Sequence, residues 1–253
     1  MKRSLTFLAI FFIALTACKK ETKEPEPTEP KYEGSVTVTF DALVGKEDFA
    51  LNKDFTINNR TYKFEHFRYW VSNVVLIKTD GSEYPVPKSY YLIEERSALG
   101  ILTKREEVAI NDIPAGSYKA VRFSIGVDAA HNDNLSLQDG ELSLTKNMTN
   151  VDGWGWNTSY IFTALRGNVI EGATTQWFQV ETGLNTNYKT ITLELPKTKE
   201  PTSTTLKLNV DVAKIIDGLD LIKTYFITAN APTSMKTVSA NYETKVYSIV
   251  SAD

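Results

Sequence analysis

The sequence predicts an all-β fold, an antiparallel β-sandwich with a long loop excursion and a short C-terminal helix. In several segments apolar residues recur at every second position, the period of a strand with one buried face. Turn-forming residues separate these segments, and few stretches of ten residues show helical spacing, which disfavours alternating strands and helices. The segments include Val36–Phe40, Val121–Ile125, Ile191–Leu195 and Leu206–Val212, and the turns include Asp80–Gly81, Pro114–Gly116 and Asp139–Gly140.

The composition predicts one soluble domain with short appendages. Of 253 residues, 42% are hydrophobic, and 12 Tyr, 12 Phe and 4 Trp supply enough apolar area for a core. The net charge of -3 gives no basic surface for a run of phosphates, so we expect no nucleic-acid partner. With 2 His and 1 Cys, the chain cannot build a zinc finger, a cysteine-held cluster or a three-His site.

Residues 1–17 are predicted to be a lipoprotein signal peptide. Lys2 and Arg3 precede an apolar run, Leu5–Leu15, that is too short to cross a bilayer as a mature helix. The Ala17-Cys18 junction resembles the bacterial lipobox, in which the cysteine becomes lipidated after cleavage. We therefore expect Cys18 to carry a lipid anchor and to hold the protein on a membrane.

Residues 18–33 are predicted to be a flexible linker between this anchor and the domain formed by residues 34–253. The tract Lys19–Lys31 has no apolar residue and three prolines, so it is a solvated and partly extended tether. Such charged tracts resemble those of Bacteroidota-type lipoproteins. This resemblance implies a bacterial outer membrane lipoprotein, and it leaves open whether the domain faces the periplasm or the cell surface.

Two segments break the strand pattern. His131–Val151 is polar and longer than a strand connection needs, which indicates an excursion, while Val238–Val246 is typical of a short helix. Around Asp128 and His131 the chain gathers oxygen ligands of the kind that hard cations prefer. The simpler interpretation is a hydrated loop whose Asp and Asn side chains cap turns, because the spacing does not match a calcium loop.

Three aromatic residues, Trp154, Trp156 and Tyr160, occur within seven positions. As a functional feature they predict a stacking surface for a glycan or the wall of a redox-active pocket. Their even spacing equally fits one buried face of a strand. Both interpretations stay open at this point.

His66 lies at even spacing from Phe64, Arg68 and Trp70, so a strand would place the histidine and Trp70 on one face. A histidine beside aromatic residues is more often a structural residue than a metal ligand. Neither His66 nor His131 is accompanied by a nucleophile-elbow sequence, so the sequence favours a protein that is not an enzyme.

Several segments, taken in order, form a pattern that covers most of residues 34–250. They are Phe40-Asp41 through Gly45, Phe67–Val74, Gly126–Asp128, Trp154–Asn157 with Tyr160-Ile161, Gly167, Gly183 and Ala240–Tyr242. With this pattern the chain resembles the MbnP-like copper-binding proteins, a family of bacterial envelope proteins often found as lipoproteins.

The resemblance implies a β-sandwich that binds copper through histidines and has no known catalysis. It also implies a haem-enzyme partner that oxidises one tryptophan to kynurenine. This chain departs from the family where the histidines are expected, since Ala42 and Glu181 stand at those positions, and Arg166 stands where a glutamate usually precedes Gly167.

Copper prefers imidazole and sulfur donors, and carboxylate alone makes a weak site. We therefore expect a degenerate metal site, for which His66 and Glu181 are the candidate ligands if the fold brings them together. The function predicted from the sequence is a non-enzymatic envelope lipoprotein of the MbnP-like type. The alternative is a module that binds a glycan or an envelope protein through the region of Trp154 and Trp156.

Overall fold

Two β-sheets make up most of the part of the chain that the structure describes. The computed structural model describes residues 32–146, 148–149, 159–200 and 202–252. Among these residues the strands are β1 (Tyr32–Val44), β2 (Glu47–Asp48), β3 (Asp54–Ile57), β4 (Arg60–Lys78), β5 (Glu83–Pro85), β6 (Tyr90–Ala98), β7 (Ile101–Arg105), β8 (Glu107–Pro114), β9 (Tyr118–Ile125), β10 (Ile161–Glu171), β11 (Thr174–Gly183), β12 (Lys189–Lys199), β13 (Thr202–Asp211), β14 (Phe226–Ile227) and β15 (Tyr247–Ala252), and the helices are α1 (Ala129–Asn132), α2 (Val212–Ile215) and α3 (Pro232–Thr244).

The smaller sheet has the order β15-β13-β1-β2, and β8 also pairs with β1. The all-β sandwich prediction is confirmed, but the sheets are mixed, because β1 pairs with β13 in parallel and β11 pairs with β14 in parallel. A parallel pair needs a long crossover connection. The strands of the larger sheet supply that crossover between β1 and β13, and the local alternation of apolar residues carries no information on strand direction.

The larger sheet is built on β4, which spans 19 residues. Its path is β12-β9-β4-β10-β11-β14, and β3, β5 and β6 also pair with β4. The register of β4 against β10 shifts between the pairs Arg166↔His66 and Gly167↔Phe64, so Glu65 is an extra residue at a β-bulge. Side chains before Glu65 therefore point to the opposite face of the sheet from the one that uninterrupted alternation would give them.

This bulge places Phe64 on the opposite face from His66 despite their even spacing. The Phe64 ring lies 5.5 Å from the Phe49 ring, and Phe67 lies 5.6 Å from the same ring, so both belong to the aromatic core. His66, Arg68 and Trp70 keep an unbroken register against β6 and share the opposite face, as the sequence predicts. Even spacing does not hold across the bulge, because one inserted residue reverses the direction of every side chain before it.

The helix near the C-terminus begins and ends earlier than the sequence predicts. It spans Pro232–Thr244 rather than Val238–Val246, and proline at its start suits a first helical turn, where the missing N–H needs no partner. Val246 lies beyond it, and its carbonyl accepts a hydrogen bond from the Asp211 N–H at 3.0 Å. Val212, expected at the end of a strand, instead begins α2, because the Asp211 carboxylate caps that helix through the Ala213 N–H.

The predicted excursion after β9 is confirmed in the residues that the structure describes. Residues 128–146 contain the single turn α1 and a 3₁₀ turn at Leu144–Lys146. The excursion attaches to β6 through the Glu141 N–H, which donates to the Tyr90 carbonyl at 3.0 Å. No helix in the described part of the chain is long and apolar enough to span a bilayer.

Candidate functional site

Three strands of the larger sheet bring two arginines to either side of His66. The Cα of His66 pairs with that of Arg96 on β6 and with that of Arg166 on β10. Directly paired residues project to the same face, and neighbouring strands lie about 4.8 Å apart. The row Arg96–His66–Arg166, named the cationic row below, therefore lies on the face of the sheet opposite the aromatic core.

A second row on the same face places two glutamates beside these arginines. Glu94 accepts hydrogen bonds from the Nε of Arg68 at 2.8 Å and from the Nε of Arg96 at 3.2 Å. Glu181 on β11 accepts one from the Nη2 of Arg166 at 2.8 Å. Each carboxylate thus fixes the orientation of a guanidinium group through a charge-assisted hydrogen bond.

The two candidate metal ligands share this face but are separated by a cation. His66 lies on β4 and Glu181 on β11, with β10 between them. The Glu181 side chain is fully buried and is paired with Arg166. Within the described residues there is no group of three or more His, Cys, Asp or Glu side chains that would hold a metal ion.

The environment of His66 disfavours a positive charge. Burial, followed by the charges of Arg166, Arg68 and Arg96, lowers the pKa of His66 to about 3. The imidazole is therefore neutral at neutral pH, as a metal ligand must be, but the same arginines repel a metal cation. These residues do not fit a tight copper site.

Ala42 lies elsewhere, in the core between the sheets. It is buried on β1 opposite Val210 of β13, and its N–H donates to the Glu106 carboxylate at 3.2 Å. Its side chain offers no metal donor. Ala42, His66 and Glu181 therefore do not surround one cavity.

The aromatic candidates divide between described and undescribed parts of the chain. Trp154 and Trp156 lie outside the described residues, as does Cys18. Tyr160 is fully buried, and its ring packs edge-on against Trp70 with centroids 6.0 Å apart. Tyr160 therefore offers no stacking surface and acts as a packing residue.

The loop around His131 forms a hydrogen-bonded cluster. Asp128 caps α1, and its carboxylate accepts hydrogen bonds from the Tyr90 hydroxyl and from the Asn73 amide. The His131 ring lies between Asp128, 3.1 Å from Nδ1, and Asp139, 3.2 Å from Nε2. This arrangement supports the interpretation in which Asx side chains cap turns.

The same contacts favour the protonated form of His131. Partial burial opposes protonation, but hydrogen bonds to Asp128 and Asp139 outweigh it and raise the pKa of His131. Burial likewise opposes the charge on Asp128, yet hydrogen bonds from Tyr90, His131 and Asn73 lower its pKa to about 2. Both ring nitrogens of His131 are thus engaged with side chains of the cluster.

The sequence alone did not indicate that Glu94 and Arg96 lie beside His66. Both lie on β6 at a spacing of two, which indicates only that they share a face. Their position beside His66 depends on the pairing of β4 with β6, which the local sequence does not reveal. The signal in the sequence that pointed to a changed charge at this site was Arg166, which stands where the family usually has a glutamate before Gly167.

Comparison with known proteins connects this fold to one family. A family model described as MbnP matches residues 33–236. Among solved structures, the chain is similar to MbnP from Methylosinus trichosporium, with 14% sequence identity, a TM-score of 0.50, and coverage of 72% of this chain and 76% of that chain. At this identity the likeness supports the fold alone. A search of curated proteins found no match.

Proposed function

Since the chain belongs to the MbnP family, we propose that it is a non-enzymatic envelope lipoprotein that has kept the family scaffold and lost the family's tight copper site. The proposal assigns residues 1–17 to a signal peptide, Cys18 to the lipid anchor and residues 18–33 to a tether. It places the domain, residues 34–253, at the bacterial outer membrane. The proposal gives the domain a binding role at this membrane and no catalytic one.

The observation that carries the proposal is the ion pair between Arg166 and the buried Glu181, 2.8 Å apart. A metal at Glu181 would have to displace this guanidinium group. Breaking a buried pair typically costs about 3–5 kcal/mol, and this cost disfavours copper binding at Glu181. Ala42, at the other family position, has no metal donor in its side chain and lies in the core between the sheets, away from Glu181.

Copper titration of the full-length lipidated protein tests the proposal. We expect no complex tighter than that formed by an unrelated acidic protein, measured by calorimetry and by electron paramagnetic resonance. His66→Ala and Glu181→Ala should leave this weak background unchanged, and His131→Ala is the matched imidazole control. A one-to-one complex that both His66→Ala and Glu181→Ala weaken, but His131→Ala does not, would show a rebuilt copper site and reject the proposal.

The anchor is tested separately. Lys2 and Arg3, the apolar run Leu5–Leu15 and the junction before Cys18 support lipidation. We expect the protein to incorporate labelled fatty acid and to fractionate with outer membranes, and Cys18→Ser to lose both properties. Membrane retention of the Cys18→Ser protein would contradict the assignment. Protease treatment of intact cells distinguishes a surface-facing domain from a periplasmic one.

A haem-enzyme partner is the remaining part of the proposal, and it rests on the family resemblance. Its substrate would be a tryptophan of the segment that contains Trp154 and Trp156. Mass spectrometry of the protein from its native host checks this, because conversion to kynurenine changes the mass of the tryptic peptide. Unmodified tryptophan in every copy would count against such a partner.

A further inference from the structure

The cationic row combines three hydrogen-bond donors on one sheet face. Arg96 and Arg166 are the direct neighbours of His66 on β6 and β10, so their Cα atoms lie about 10 Å apart across β4. Both side chains are partly accessible, with 33% of Arg96 and 23% of Arg166 exposed. A group placed over His66 would be flanked by the side chains of Arg96 and Arg166.

Arg96 has donors to spare. Its Nε donates to Glu94 at 3.2 Å, which orients the guanidinium plane. Among the residues that the structure describes, its two Nη groups have no hydrogen-bond partner. A guanidinium group that is oriented through Nε presents its two Nη groups together, which suits the paired oxygens of a carboxylate or phosphate.

His66 adds a neutral donor at the centre of the row. The charges that act on its ring are those of Arg166, Arg68 and Arg96, all of them positive. The carboxylate of Glu65, the residue before His66, is not among these charges, and it accepts a hydrogen bond from the Asn168 amide at 2.7 Å. Because a neutral imidazole always carries one N–H, it can donate to an anion without a change of protonation.

We propose that the cationic row binds a small oxyanion, a carboxylate or a phosphate, through Arg96, His66 and Arg166. This inference rests on the proposed function in one respect, since it names a ligand class for the sheet face that carries Glu181, one of the two positions at which the family resemblance places a histidine. The arginines that repel a metal cation attract an anion, and each is held in place by a glutamate. Arg96 and Arg166 make charge-assisted contacts, and the His66 N–H fixes the anion between them.

Nuclear magnetic resonance of the histidine rings tests the proposal in the full-length lipidated protein in detergent. The chain has two histidines, so His131→Gln assigns the two ring signals. Inorganic phosphate and sodium acetate are titrated separately at constant pH, with sodium chloride at equal ionic strength as the reference. We expect the His66 signals to shift and saturate with phosphate, acetate or both, and to stay unchanged in chloride. Absence of a saturable shift with both anions would overturn the proposal.

Arg96→Gln is the decisive variant, with Arg122→Gln as its matched control. The two side chains are similarly exposed, at 33% and 31%, and each has a glutamate partner, but Arg122 lies on β9 and pairs with Glu83. We expect Arg96→Gln to weaken anion binding by about tenfold or more, in keeping with the loss of one charge-assisted hydrogen bond, and Arg122→Gln to leave it unchanged. Equal binding by both variants would refute the role of Arg96.

This outcome is separable from that of the copper experiment. A tight copper complex together with anion binding would reject the proposed function and leave the oxyanion site in place. Weak copper binding without anion binding would support the proposed function and reject the oxyanion site. Far-ultraviolet circular dichroism of each variant confirms that the fold is intact before binding is compared.

Discussion

At Gly140 the excursion lies close against the backbone of the larger sheet. It has a φ of +59°, and a Cβ built there would lie 2.3 Å from the Lys88 carbonyl oxygen and 2.9 Å from that of Tyr90. Glycine is the residue that tolerates both the left-handed backbone and the contact. The Asp139–Gly140 turn predicted from the sequence therefore also sets how the loop packs.

We expect Gly140→Ala to destabilise the protein by about 1–3 kcal/mol more than Gly172→Ala. Gly172 is a matched control because its φ is also +59°, while no atom lies within 4 Å of the Cβ that would be added. The difference between the variants thus isolates the steric contact from the backbone strain. Urea denaturation measures both free energies of unfolding, and equal values would show that the loop moves away at no cost.

His131 gives the excursion a dependence on pH. Asp128 and Asp139 hold its ring, Tyr90 contacts Nδ1, and Lys88 pairs with Asp139 at 3.1 Å. Because the pKa of His131 is raised from its ordinary value of 6.5, its stabilising contribution is fully present below that pH. The contribution is lost as the pH rises through the raised pKa.

We therefore expect His131→Gln to reduce the free energy of unfolding more at about pH 5.5 than at about pH 9. His66→Gln is the control, because its effect on the free energy of unfolding should depend on pH in the opposite direction. The pKa of His66 is lowered to about 3, so the neutral ring stabilises the fold above pH 6.5 and this contribution falls as the pH drops towards 3. Chemical denaturation across this range checks both variants, and parallel pH profiles for the two would contradict the assignment.

Among the secondary structure elements, β4 determines where the cationic row forms. Its pairing with β10 and β6 brings together residues from three strands that lie far apart along the chain. Gly167 allows this pairing at the bulge, since a Cβ there would lie 2.2 Å from the Lys63 carbonyl oxygen. The element that holds the site thus also carries the register shift at Glu65.

The pairing of β10 with β11 sets the cost of altering the Arg166–Glu181 ion pair. We expect Arg166→Met to destabilise the protein by about 3–5 kcal/mol, because the buried Glu181 would lose the guanidinium group beside it. Adding Glu181→Leu should recover part of that loss, since no carboxylate would then remain to be compensated. A double-mutant cycle by urea denaturation measures the coupling, and additive effects would show that the pair contributes nothing of its own.

Across the whole molecule, an aromatic core joins the two sheets. Phe40 of the smaller sheet lies 5.7 Å from Phe123 and 6.3 Å from Tyr69 of the larger sheet, measured between ring centroids. Tyr242 of α3 packs against Tyr69 at 6.2 Å. The core thus links both sheets and the helix, which fits a chain whose single cysteine allows no internal disulfide.

We expect Phe40→Ala to cost about 3–5 kcal/mol of stability, because it opens a cavity between the sheets. Phe226→Ala is the control, since that side chain is 42% exposed and should cost about 1 kcal/mol or less. Thermal and urea denaturation compare the two variants. A loss of similar size in both would mean that the sheets do not depend on this contact.

The sequence by itself determined which residues share a face wherever a strand runs without interruption. Alternation places Val36, Val38 and Phe40 in the core, and it places His66, Arg68 and Trp70 together. It also indicated the excursion and the approximate position of the helix. These features are local, because the direction of a side chain in a strand depends on the parity of its position.

Only the tertiary structure decided what stands beside His66. Arg96 and Arg166 are 30 and 100 positions away in the sequence and become its neighbours through strand pairing. The bulge at Glu65, which separates Phe64 from that face, depends on the same pairing. Register and electrostatics at this site result from contacts between distant strands, which the packing of the whole sheet selects and no local pattern encodes.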